Sequence, residues 1–251
     1  NPIKLARLVM AKTSHILLAG DGANEFARDM GVEFADDVYF FTQHRYEQLL
    51  KAREEGVVEL DHTAGEAELL ENAERGTRNA ESRPADIEPN GDESATESER
   101  IPNSAFRTPH SKGTVGAVAC DRDGNLAAAT STGGMTNKKF GRVGDTALIG
   151  AGTYADNATC AVSCTGYGEF FMVGVTAYDI AARMKYKNLN LEAAAEEALE
   201  HLTTIGGDGG FIAVDGNGRV VTPFNCEGMY RGYRTDTGSA INIYRDRDSL
   251  Q

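Results

Sequence analysis

The chain has 251 residues, 41% hydrophobic and 25% charged, the balance of an ordinary globular domain with enough length for a real core. It has no run of 18 apolar residues, and no charged segment followed by an apolar stretch opens it, so the expectation is a protein with no membrane contact and no secretory signal. The net charge is −13, and residues 61–100 alone, with 12 Asp/Glu and 4 Arg, hold −8 of it. An acidic chain is a poor partner for nucleic acid, whose phosphates need Lys and Arg, and an excess packed into one segment reads as a solvated linker more than as salt adaptation.

The sequence opens on Asn1-Pro2-Ile3, a helix cap followed by a favoured first-turn residue, and Leu5, Leu8 and Val9 continue at helical spacing, predicting a helix over 2–12. A start without Met suggests a fragment or a processed product. Ile16 to Ala19 reads as a short buried strand, Ala23 to Met30 as a helix stopped by Gly31, and 42–55 as another closed by Gly56. From Asp61 to Lys112 apolar residues are sparse and Ser, Asn, Pro and acidic residues are frequent, which predicts a disordered linker with one short helix at 66–74.

At Gly113 the character changes. Thr114–Asp121 and Asn125–Thr132 flank Asp123-Gly124, a strong hairpin signal. A second hairpin is predicted from Ala147–Tyr154 and Thr159–Thr165, and a third from Phe211–Val214 and Arg219–Pro223. Between them lie predicted helices over 168–186 and 190–205. Strands, helices, then strands imply an α+β fold of mostly antiparallel sheet with helices layered on it.

The four cysteines, Cys120, Cys160, Cys164 and Cys226, form no CxxC pair and read as buried free thiols in a reducing compartment. Asn157-Ala158-Thr159 fits a glycosylation acceptor, read here as chance. The five histidines are scattered, two beside or within the linker, which argues against a His-based triad. Hydroxyl residues instead gather at strand ends beside glycine: Thr114 after Gly113, Thr130-Ser131-Thr132 before Gly133-Gly134, and Thr165 before Gly166. Any one of these fits ordinary strand and turn preferences. A linker that ends at a strand-initial Thr is different. A cut at Gly113–Thr114 would free an α-amine with a pKa near 7.7–8.0, able to serve as base to its own hydroxyl without a histidine. Arg142 and Asp145, flanked by Gly141 and Gly144, suit the two ends of a zwitterion.

The stretches Gly113–Ala119, Ala129–Gly134, Gly141–Asp145, Ser163–Glu169 and Phe224–Met229, with the opening Asn1-Pro2-Ile3 and Ala6–Met10, together resemble the plant-type asparaginase / isoaspartyl peptidase family of N-terminal-nucleophile hydrolases. The resemblance implies a four-layer αββα sandwich, here lacking the first N-terminal strands. It implies hydrolysis of L-asparagine and β-aspartyl dipeptides after autocleavage between Gly113 and Thr114. By matched position, Thr114 is the nucleophile and Thr132 supports it. Thr165 and the Gly166 N–H form the oxyanion hole, Arg142 grips the substrate α-carboxylate, Asp145 accepts the α-ammonium, and Gly168 also belongs to the substrate-binding set. The implied organisation is residues 1–60 as the end of an α subunit, 61–113 as the acidic linker, and 114–251 as a β subunit, with 1–60 and 114–251 in one domain. A cytoplasmic dimer of cleaved αβ units is implied, with no catalytic cofactor. The family's His-Gly-Gly-Ala-Gly stretch, active-site Asn and structural sodium loop would lie ahead of Asn1. Position 226 is Cys where the family often has Thr, and 167 is Tyr where a smaller residue is common. The rival readings are a glycosylasparaginase, a threonine-aspartase protease, and a non-catalytic relative that serves as a binding or assembly module.

Overall fold

Residues 160–166 read Cys-Ala-Val-Ser-Cys-Thr-Gly, and side chains pointing both ways from this strand are buried: Cys160, Val162 and Cys164 on one face, Ala161 and Ser163 on the other. A strand covered on both faces lies between two layers, and the rest of the fold is arranged around it. The computed structural model describes residues 1–58 and 113–244, which lie in one compact unit.

Helices α1 (Pro2–Lys12), α2 (Gly20–Asp29), α3 (Asp37–Phe40) and α4 (Gln43–Glu54) come first. The α1 cap is as expected: Asn1 Oδ1 accepts from the Ile3 and Lys4 N–H groups. Strands β1 (Val115–Cys120) and β2 (Leu126–Ser131) form the predicted hairpin, with Gly116 opposite Thr130. After a short 3₁₀ turn at Asp145–Ala147 come β3 (Thr153–Ala155) and β4 (Cys160–Gly166). Helices α5 (Gly168–Gly174), α6 (Thr176–Lys187) and α7 (Leu191–Thr204) follow, then β5 (Gly209–Asp215), β6 (Val220–Val221), β7 (Gly228–Arg234) and β8 (Ser239–Tyr244).

β3-β4-β5-β6 form one sheet in that order, and every pairing between the strands named here is antiparallel. Its helix-side face packs Cys160, Val162, Cys164, Phe211 and Ala213 against Phe171, Ile180, Leu191 and Leu202 of α5–α7. The opposite face receives the β1–β2 hairpin. The α+β class with antiparallel sheets and layered helices therefore holds.

Several expectations change. Ile16–Ala19 is not a strand: among the described residues no partner pairs with it, and Ile16 and Leu17 are exposed. The first arm of the second hairpin shrinks to β3, because residues 145–152 coil into turns in which Leu148 and Gly152 N–H groups donate to Asp145 O. The predicted helix over 168–186 is two helices. Val175 adopts a left-handed conformation (φ 46°), and the first turn of α6 donates to a neighbouring loop, Ala177 N–H to Ala151 O and Tyr178 N–H to Gly150 O. The β7–β8 hairpin was not expected, since Gly228, Gly232 and the arginines blur its alternation. Of the four cysteines, Cys160 and Cys164 are buried, Cys120 and Cys226 only half-buried. The linker and the short helix at 66–74 fall outside the described residues.

The hairpin is tied down at its far end. Asn157, in the β3–β4 turn, accepts from the Leu126 N–H at 2.8 Å and donates to Asn125 Oδ1 at 3.0 Å. The acceptor-like sequence thus has a structural use at Asn157.

Candidate active site

Thr114 immediately precedes β1, and continuing the pairing Val115–Ser131 by one step sets it opposite Thr132. The two hydroxyls meet: Thr114 Oγ1 donates to Thr132 Oγ1 at 3.3 Å, and the Gly134 N–H donates to that same Thr132 oxygen at 3.0 Å. Gly113, just before, has φ 100°, a conformation that suits glycine. One rung further into the hairpin, a side chain at Gly116 would overlap the Ser163 hydroxyl. That empty space lets β4 approach, and Ser163 Oγ bonds Thr130 Oγ1 at 2.7 Å.

Thr165 lies two residues after Ser163, so period-two alternation turns it to the same hairpin-facing side. Its Oγ1 is buried without a hydrogen-bond partner among the described residues. The strand end is fixed by a close crossing: a side chain at Gly166 would run into Asp208 O and Gly209 Cα. Asn225 pins the crossing by accepting from the Gly209 N–H at 2.9 Å and donating its own N–H to Gly209 O at 2.9 Å.

Gly168 opens α5, and the absence of a Cβ there admits both Asp145 and Arg142. A side chain would come within 2.6 Å of Asp145 Oδ1 and 3.0 Å of Arg142 Nη2. Asp145 starts the 3₁₀ turn, is 6% exposed, and its Oδ2 has no hydrogen-bond partner among the described residues. Burial pushes its carboxyl up to about 6, against the opposing pull of its own and the Thr146 backbone N–H groups and of Arg142. Arg142 Nε and Nη2 donate to the two oxygens of Glu169 at 2.6 and 2.7 Å. That bidentate pair holds the Glu169 carboxyl below its ordinary value and the guanidinium above its own. The side edge of the guanidinium is therefore occupied, and its end-on edge, Nη1 with Nη2, is the one left for another anion.

Buried polar atoms are normally paired, and an unpaired one costs about 1–3 kcal/mol. Asp145 Oδ2 and Thr165 Oγ1 are thus acceptor and hydroxyl awaiting partners. Cysteine is a poor candidate nucleophile: burial pushes the Cys160 thiol up to about 12 and raises that of Cys164 well above its usual value. Among the described residues no group of three or more His, Cys, Asp or Glu side chains could hold a metal ion.

The predicted residues fall into two contact groups. Thr114 and Thr132 touch on the hairpin, and Arg142, Asp145 and Gly168 touch beside α5. Thr165 and Gly166 end the strand that leads from one group to the other. Sequence reasoning missed Glu169, although it closes the Ser163–Glu169 stretch, and it assigned nothing to Ser163 and Thr130. Only the fold reveals their partners.

The sequence model of the family described as asparaginase matches residues 1–243. The isoaspartyl peptidase of Escherichia coli is 47% identical over 250 residues, covering 98% of this chain and 65% of that protein. A putative isoaspartyl peptidase/L-asparaginase of Dictyostelium discoideum is 50% identical over 251 residues, 97% of this chain and 68% of the relative. A probable isoaspartyl peptidase/L-asparaginase of Arabidopsis thaliana is 41% identical over 238 residues, 95% and 66%. The chain thus spans roughly two thirds of the length of the relatives it matches.

Proposed function

The chain belongs to the asparaginase family, and from that premise we propose that it is a hydrolase of the side-chain amide of L-asparagine and of the isopeptide bond in β-aspartyl dipeptides, with Thr114 as nucleophile. The observation that carries this reading is the pair of buried, unpartnered atoms, Asp145 Oδ2 and Thr165 Oγ1. A bound substrate would supply an ammonium to the first and a carbonyl oxygen to the second.

Cleavage between Gly113 and Thr114 frees the Thr114 α-amine. The amine takes the proton from Oγ1, which attacks the side-chain carbonyl carbon of the substrate. Negative charge moves to the carbonyl oxygen, where the Thr165 hydroxyl and the Gly166 N–H stabilise it. The ammonium formed on Thr114 returns its proton to the departing nitrogen, so ammonia or a peptide amine leaves and a β-aspartyl ester remains on Oγ1. Water, deprotonated by the same amine, attacks the ester carbonyl carbon, and the amine passes that proton to Oγ1 as it leaves, so aspartate is released and the Thr114 hydroxyl is restored. Thr132 holds Oγ1 in line through the hydrogen bond at 3.3 Å. Asp145 receives the substrate α-ammonium, and the end-on edge of Arg142 receives the α-carboxylate. The family relationship also supports a four-layer αββα sandwich, a cytoplasmic setting, and a dimer of cleaved units as parts of this reading. The relatives' names favour it over a glycosylasparaginase.

The test is one preparation and two assays. N-terminal sequencing should find a fragment beginning at Thr114. The matured protein should release aspartate from L-asparagine and from a β-aspartyl dipeptide but not from an α-aspartyl dipeptide, whose α-carboxylate is tied up in the peptide bond and gives Arg142 no charged partner. Full turnover by an uncut chain, or equal cleavage of α and β linkages, would overturn the reading.

A further inference from the structure

The nucleophile pair and the proposed oxyanion donors stand on different sheets, Thr114 and Thr132 on the β1–β2 hairpin, Thr165 and Gly166 at the end of β4. Their separation is therefore set by how the hairpin is seated on β4. At the far end Asn157 holds it. At the near end stands the Thr130–Ser163 hydrogen bond of 2.7 Å, made possible by the missing side chain at Gly116. Thr130 is two residues from Thr132 and Ser163 two from Thr165, so this bond is the rung next to the site on both strands, about 6.6 Å along each. Ser163 is buried, whereas the outer side of β1, Val115, Ala117 and Ala119, is exposed. The hairpin's position thus depends on its inner face.

We infer that Ser163 and Thr130 form a positioning peg that sets the distance between the Thr114 hydroxyl and the oxyanion donors of Thr165 and Gly166. The inference rests on the reaction proposed above. Neither residue meets the substrate; each acts through the strand that carries a residue which does. Arg142 and Asp145 lie on the segment leading to β3, where Arg142 bonds Glu169 and both are packed against Gly168, and among the described residues neither hydrogen-bonds Thr130 or Ser163. Loss of the peg should therefore impair the chemical step and spare binding.

The experiment compares the wild type with Thr130→Ser, Thr130→Val, Ser163→Ala and the double variant Thr130→Val/Ser163→Ala. Each is matured, and turnover of L-asparagine is expressed per Thr114 N-terminus. Thr130→Ser keeps the hydroxyl and should keep kcat. Thr130→Val leaves a buried Ser163 hydroxyl unpaired, so Tm and kcat should both fall. The double variant removes both hydroxyls and should recover Tm, because no buried group is left unpaired. Its kcat should stay at least about tenfold low with KM within about twofold, as expected for a misplaced reacting pair. A double variant whose kcat recovers along with its Tm would make the pair merely structural and overturn the inference, as would variants that all turn over like the wild type. If the wild type cleaves neither substrate, the proposed reaction itself fails, and the inference fails with it.

Discussion

In the proposed reaction Asp145 trades stability for binding. Its carboxyl, raised by burial from 3.8 to about 6, keeps its proton in the folded chain over a range where the unfolded chain has lost it. Its contribution is therefore most favourable below about pH 4 and is lost as pH rises to about 6. Above that, the buried anion costs about 3 kcal/mol without a ligand. In the proposed reaction the substrate ammonium is the group that would offset it. Two outcomes follow: KM for L-asparagine should rise as pH falls below about 6, and Asp145→Asn should raise Tm near pH 8, leave it nearly unchanged near pH 4, and lower kcat/KM by about a hundredfold or more. A KM that stays flat across this range would remove Asp145 from the substrate site. Thr114, Thr132, Arg142 and Asp145 could be named from the sequence because the stretches that hold them, Gly113–Ala119, Ala129–Gly134 and Gly141–Asp145, resemble those of the family as a set, although none stands out alone. Glu169 and Ser163 could not, since their roles come from partners 27 and 33 residues away that only folding brings near.

At the scale of the element, the break between α5 and α6 is the sharpest departure from the periodic reading. Phe171, Val175, Tyr178 and Ala182 are spaced as on one helix, yet Val175 turns left-handed and α6 starts afresh against the Gly150 and Ala151 carbonyls. Helical spacing survives a break that leaves both helices on the same face, so hydrophobic period alone could not reveal it. A β-branched residue at positive φ is strained by about 1–3 kcal/mol. Val175 is 45% exposed, so little burial is lost on replacing it. Val175→Asn, a residue tolerant of this conformation, should raise Tm by about 2–4 °C per kcal/mol relieved, with kcat and KM for L-asparagine unchanged. An unchanged or lower Tm would mean that the helix junction, not the backbone angle, determines what residue fits there. The hairpins β1–β2 and β5–β6 were visible in the sequence because Asp-Gly turns interrupt clear alternation. β7–β8 was hidden because its register is irregular between Gly228 and Arg231.

For the whole molecule, the order of strands and helices was enough to predict antiparallel sheet with helices laid on it. How the hairpin seats on β4 was not, since it depends on the space at Gly116 and on the Asn157 clasp. The charges at the site have a consequence of their own. Asp145, Arg142 and Glu169 together carry one negative charge when Asp145 is ionised, in a chain whose net charge is −13. L-asparagine arrives neutral overall, whereas a β-aspartyl dipeptide and the product aspartate are anions. In the proposed reaction an anionic substrate would approach against a repulsive field, and the same field would help expel the product. Dissolved ions screen such a field beyond about 10 Å at 0.1 M. Raising the ionic strength should therefore increase kcat/KM for the dipeptide, leave that for L-asparagine nearly flat, and strengthen inhibition by aspartate. Parallel salt titrations of the two substrates would measure this, and equal responses would show that the field plays no part in their capture.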